Sequence, residues 1–115
     1  MIPFELSDNL SHTWFFDVDG TILEHNGYYT GQEKLLPGVK ELWQFIPEND
    51  TIIIISAREE EYRQSTLKFL DKNNIRYNYA IFGVPTGERI VVNDEKPDGL
   101  QTAIAWNIKR DTGFE

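Results

Sequence analysis

Apolar residues fall along the chain in short blocks separated by polar, glycine-containing stretches, and the spacing within each block distinguishes strand from helix. Trp14 to Val18 is apolar and aromatic apart from one aspartate and stops near Gly20, a pattern that predicts a buried first strand ending in a loop. The stretch "EHNGYYTGQEK", residues 24–34, mixes two glycines with polar and aromatic residues and predicts a flap or small hairpin, too short to be a domain. Val39, Leu42, Trp43 and Ile46 then recur at helical spacing behind Pro37, whose missing N–H costs nothing near a first turn.

"TIIIISA" is β-branched from Thr51 to Ile55 and predicts a central parallel strand ending at Ser56. Residues 59–74 open with three glutamates and close on "KNN", the acid-first and base-last order that suits a helix dipole. "YNYAIFG" and "ERIVVND" predict two further strands. "LQTAIAWNIKRD" fits a helix or a strand, and the alternation of Ile104, Trp106 and Ile108 favours an edge strand over 103–108. Strands separated by helical stretches imply βαβ units with right-handed crossovers. The expected fold class is therefore α/β: a doubly wound, mostly parallel, Rossmann-like sheet in a single domain over 1–115, without a cap.

Composition narrows the function. At 115 residues, 40% hydrophobic and 26% charged, the chain has the balance of one globular domain, with no repeat or low-complexity segment. Nineteen acidic against eleven basic residues give a net charge of -8, which argues against a broad nucleic-acid interface. The absence of cysteine excludes disulfides, thiolate metal sites and a cysteine nucleophile. No stretch has the length of a membrane span and the first ten residues lack a signal-like pattern, so the expectation is a cytoplasmic protein with no membrane partner.

The chemistry concentrates in "FFDVDGTIL", residues 15–23. Asp17 and Asp19 lie one residue apart at a strand end among large apolar residues, where like charges repel and burial adds to the cost, so a cation or proton is expected between them. In open α/β sheets ligands lie beyond the carboxyl ends of the strands, and Asp17 with Asp19, Ser56 and Asp94 fall at the ends of three separate predicted strands. Such an oxygen-rich set suits magnesium, and a bound phosphate would gain a hydrogen bond from Ser56. Plainer roles stand beside these: Ser56 as a helix cap, Asp98 in a Pro-Asp-Gly turn, and Arg58 in a salt bridge with Glu59 to Glu61 or another acid. His12 and His25 are assigned no catalytic role, and Trp43 and Trp106 are assigned to the core.

Asp17-Val18-Asp19-Gly20-Thr21 resembles the DxDGT signature of the haloacid dehalogenase superfamily of phosphatases, with Ser56 resembling its second motif and "VVNDEKPD" its acidic fourth motif. The resemblance implies a magnesium-dependent phosphatase acting on a phosphate monoester. Asp17 would be the nucleophile forming an aspartyl-phosphate and Asp19 the proton shuttle. Magnesium would be held by Asp17, the Asp19 backbone carbonyl and Asp94, with Asp98 favoured over Glu95 as the second acid. Gly20, Thr21, Ser56, Ala57 and Arg58 would meet the substrate.

The chain departs from the family where a lysine is expected. "FGVP" places Val84 there, leaving Arg89, Lys96 or Lys72 to supply the positive charge. Residues 22–55 and 57–93 leave no room for a large cap, so the resemblance implies an open site that suits a bulky substrate or a neighbouring copy that closes it. A small sugar phosphate or a related metabolite, as in polysaccharide-precursor metabolism, is the expected substrate class. A non-catalytic phosphate-binding subunit is the alternative. A receiver domain fits less well, because "YAIFG" carries no aspartate at the third strand.

Overall fold

The computed structural model describes residues 1–114. A parallel three-stranded sheet forms the centre: β1 (Thr13–Phe16), β2 (Thr51–Ile55) and β3 (Tyr79–Ile81), hydrogen-bonded in the order β1-β2-β3. The register places Phe16 opposite Ile54 and Ile54 opposite Ala80, so the three carboxyl ends lie side by side. Between the strands run α1 (Gly27–Thr30), α2 (Val39–Phe45) and α3 (Arg63–Lys72), the last entered through a 3-10 turn at Glu60–Tyr62. This is a small α/β domain with a parallel sheet, consistent with a Rossmann-like fold.

Alternation along the strands decides where the core sits. Trp14, Phe16, Ile52 and Ile54 point to one face and are buried with Val39, Leu42 and Trp43 of α2, Leu70 of α3, and Ile75. The Phe16 and Trp43 rings meet at 4.3 Å between centroids. Both helices therefore serve the same sheet face, which is what two successive crossovers moving in one direction produce. The opposite face carries exposed Phe15, Tyr79 and Ile81. No helix covers that face among the described residues, in contrast to the expectation of helices on both sides.

The first two-thirds of the chain follow the hydrophobic pattern closely. β1 ends at Phe16, two residues earlier than expected, because Val18 turns inward and its carbonyl accepts the amides of Thr21, Ile22 and Leu23. The flap is a neck closed by Glu24 and Lys34 and by a bridge between Leu23 and Leu35, with α1 at its tip. The helix expected over 59–74 is α3 preceded by the 3-10 turn.

The last third does not follow the pattern. "ERIVVND" and 103–108 form no strand. The segment from residue 84 onward is irregular apart from a bridge between Glu95 and Gln101. Ile90 and Val92 are 84% and 89% exposed, so their β-branched run finds no strand to pair with. Strand propensity reports fit to a half-buried pleated surface and does not supply a partner. Trp106, Ile108 and Phe114 still pack on the core, Phe114 also donating its amide to the Pro37 carbonyl at 2.8 Å. The tail is thus anchored by side chains rather than by a ladder.

Candidate functional site

The carboxyl ends of β1 and β2 build the site. Asp17 is the first residue beyond β1, and its side chain is 37% exposed. Thr21 donates its hydroxyl to Asp17 Oδ2 at 2.9 Å, a contact made possible by the tight turn over Val18. Arg89 Nη1 donates to Asp17 Oδ1 at 2.7 Å. Of the three cations considered for the missing lysine, Arg89 is the one the fold brings to Asp17. Lys72 lies in the last turn of α3, and the Lys96 amide closes a local turn with Leu100.

Beside these residues a groove of about 580 Å³ runs along β1, bounded by Phe15, Asp17, Thr86, Arg89, Ile104 and Trp106 among others. Its lining is mixed, with Asp17 and Arg89 at one end and Phe15, Ile104 and Trp106 beside polar Thr13, Thr86 and Asn107.

Asp19 has a different environment. Asp19 faces the flap, accepting the Asn26 amide at 3.3 Å, and the loop before α3. Arg58 donates from Nε to Asp19 Oδ2 and from Nη2 to Asp19 Oδ1, both at 3.0 Å. The same guanidinium donates to Glu33 of the flap at 2.6 and 2.9 Å and to the Thr66 hydroxyl at 2.9 Å. All five N–H donors of Arg58 are therefore used. Burial alone would pull its pKa down, but its hydrogen bonds to Glu33 and Asp19 outweigh that and hold it above the usual arginine range. The Tyr28 ring covers the group at 4.1 Å. Burial, then the Tyr29 neighbour, push the Tyr28 hydroxyl well above the usual tyrosine range.

Several expectations change here. Arg58, expected to meet substrate, has a fully buried side chain and no free donor, so its role is internal. Its partner is an acid, as the plainer reading allowed, but the acids are Asp19 and Glu33 rather than Glu59 to Glu61. Ser56 is completely buried, and its hydroxyl accepts the Arg58 amide at 2.9 Å, a local turn bond after β2. The Gly20 amide is committed to the Leu23 carbonyl and the Thr21 amide to the Val18 carbonyl, which leaves neither for a phosphate. Ala57 lies half-buried between Ser56 and Arg58.

Asp94 and Asp98 lie in the exposed irregular segment. The Asp94 carbonyl accepts the Thr102 hydroxyl, and Asp98 Oδ1 accepts the Leu100 amide at 3.0 Å in the turn that follows Pro97. Without a strand over 88–94, nothing carries Asp94 to the end of β1. Among the described residues no group of three or more acidic or histidine side chains is placed to hold a metal. The set Asp17, Asp19, Asp94 and Asp98 is therefore not gathered around one point. A guanidinium stands at Asp17 where magnesium was expected, and the residues in this arrangement do not fit that ion.

The sequence reading missed Glu33 and Asp50. Glu33 shows no distinguishing spacing, since its partner lies 25 residues away. Asp50 is buried beneath the amino end of β1, accepting the His12 amide at 2.9 Å, the Trp14 indole N–H at 2.9 Å and the His12 ring at 3.1 Å. Burial alone would raise its carboxyl pKa, but the Trp14 and His12 donors hold it below the usual aspartate range. An aspartate just before a β-branched run was the available signal. No family model matches the chain, and no curated protein or solved structure compared with it does either.

Proposed function

We propose that the chain handles the phosphoryl group of a phosphate monoester at Asp17, as a haloacid dehalogenase-like phosphatase. The observation that carries the reading is the Arg89 guanidinium 2.7 Å from the Asp17 carboxylate, at the carboxyl end of a parallel strand and within the DxDGT sequence. A carboxylate repels an approaching phosphate, and a fixed cation beside it offsets that repulsion and binds the phosphoryl oxygens as charge develops on them. Thr21 holds the other oxygen and so orients the nucleophile. The family's doubly wound sheet belongs to the same proposal, with β1-β2-β3 as its shared part.

In the first step an Asp17 oxygen bonds to phosphorus while the bond from phosphorus to the ester oxygen breaks, and the leaving oxygen takes a proton. In the second, water attacks the aspartyl-phosphate, the bond to Asp17 breaks, and inorganic phosphate leaves with the carboxylate restored. Asp19 is the acid and base by resemblance, and it must first be released from Arg58. The groove beside Arg89 has the volume for a monosaccharide-sized leaving group, which supports a sugar phosphate or related metabolite as substrate.

The test is hydrolysis of an aryl phosphate, with and without magnesium, by the wild type and by Asp17→Asn. Turnover abolished by the substitution supports the reading, and its dependence on magnesium decides the expected cofactor. Phosphate binding without turnover under any divalent metal would establish the second reading, a non-catalytic phosphate-binding domain, which the commitment of both Asp19 oxygens to Arg58 favours.

A further inference from the structure

We propose that the groove beside Asp17 and Arg89 selects phosphate monoesters whose alcohol carries a ring, with Phe15 as the platform on which that ring lies. Ring selection rests on the reading of Asp17 given above and adds to it the kind of alcohol.

Strand geometry sets the distance. Burial alternates from Thr13 to Val18, so Thr13, Phe15 and Asp17 stand in line on the side of β1 that no helix covers among the described residues, and all three border the groove. At about 3.3 Å per residue, Phe15 lies about 7 Å from Asp17 along the chain. That reach suits a phosphoryl group at Asp17 and a ring about one methylene removed from the ester oxygen.

Exposure points the same way. Trp14 and Phe16 are buried in the core, whereas Phe15 is 57% exposed, and the exposed Val91 and Ile104 border the same groove. One exposed apolar side chain is ordinary, but three around a single cleft form a binding surface. The lining then limits the occupant. Arg89 at one end takes an anion, Phe15 offers a flat apolar face, and Thr13, Thr86 and Asn107 offer hydrogen bonds to groups on the edge of a ring. An alkyl chain would leave those three polar residues without partners, and an open-chain polyol would leave Phe15 and Ile104 uncovered. A ring with an apolar face and a polar edge satisfies both.

Phosphonates, which present the same anion but do not turn over, separate recognition from chemistry in calorimetric titrations of the full chain. The wild type should bind benzylphosphonate or cyclohexylmethylphosphonate roughly three- to tenfold more tightly than methylphosphonate. Phe15→Ala should remove most of that ratio. Phe15→Leu, which keeps apolar area for folding but has no ring, should remove part of it. Arg89→Ala should weaken all three ligands alike. A benzyl ligand that binds more tightly than the cyclohexyl one identifies the ring as aromatic, and the reverse order as saturated, as in a sugar. Equal affinity for all three ligands in the wild type, or a ring preference that survives both Phe15 substitutions, overturns the inference and leaves the reading of Asp17 standing. Failure of the wild type to bind any of the three overturns that reading and ring selection with it.

Discussion

Two aspartates separated by a single valine each pair with an arginine, and the two pairs differ in almost every physical respect. Asp19 and Arg58 are joined by two hydrogen bonds around a fully buried guanidinium whose remaining donors are all satisfied. Asp17 and Arg89 share one bond with both side chains about one-third exposed. A buried, saturated pair resists change because removing one member strands the other in low dielectric. An exposed pair is held weakly and yields to a competing anion. The same residue types, two positions apart, therefore form a buried clasp in one case and an accessible, singly bonded pair in the other.

Substitutions can break the comparison or sharpen it. Arg58→Ala leaves Asp19, Glu33 and Thr66 without their shared donor, and urea unfolding should show a loss of about 3–5 kcal/mol. A loss below about 1 kcal/mol would put the two pairs in one class and remove the contrast.

Asp50 is a buried carboxylate that accepts three hydrogen bonds, and Asp50→Asn should cost about 1–3 kcal/mol at neutral pH. Its folded pKa is lowered, so its stabilisation is complete above the unfolded value near about pH 4 and is lost as pH falls through the folded value. The stability gap between wild type and variant should consequently narrow in acid, which unfolding at a series of pH values would measure. A gap that widens in acid would contradict the assignment.

Gly20 closes the turn that follows the two aspartates, its amide donating to the Leu23 carbonyl. Its φ is +81, and a Cβ there would meet Arg110 Cγ at 2.9 Å. Gly20→Ala should cost about 1–2 kcal/mol, measured by thermal or chemical unfolding. Arg89→Ala sits at the small end, with a stability change below about 1 kcal/mol but a clear loss of phosphate binding in titration. A variant that binds phosphate as well as the wild type would detach Arg89 from the site.

Legibility in the sequence tracked the range of the interaction. The three strands between Thr13 and Ile81 and the helices α2 and α3 were readable because each has a local signature: short apolar or β-branched runs for the strands, helical spacing for Val39, Leu42 and Trp43, and acid-first, base-last order for α3. "ERIVVND" has the same β-branched signature as "TIIII", yet Ile52 and Ile54 are buried between neighbours while Ile90 and Val92 stand in solvent. A local pattern states that a segment suits a sheet and is silent about whether an edge receives it. The expected gathering of Asp94 with Asp17 depended on that missing strand. Arg89 was readable only as one of three possible cations, since loop length alone does not say which reaches the carboxylate.

By itself the sequence determined the βαβ order, the placement of Asp17 at a strand end and the lack of any thiol chemistry. These follow from residue type and spacing over a few positions. Only the tertiary structure decided that Asp19 belongs to Arg58 and Glu33, that Arg89 belongs to Asp17, and that the last third of the chain packs by single side chains. Those outcomes rest on contacts across 25 to 72 residues, where competing partners of equal charge are distinguished by burial and by the direction in which a turn points the side chain.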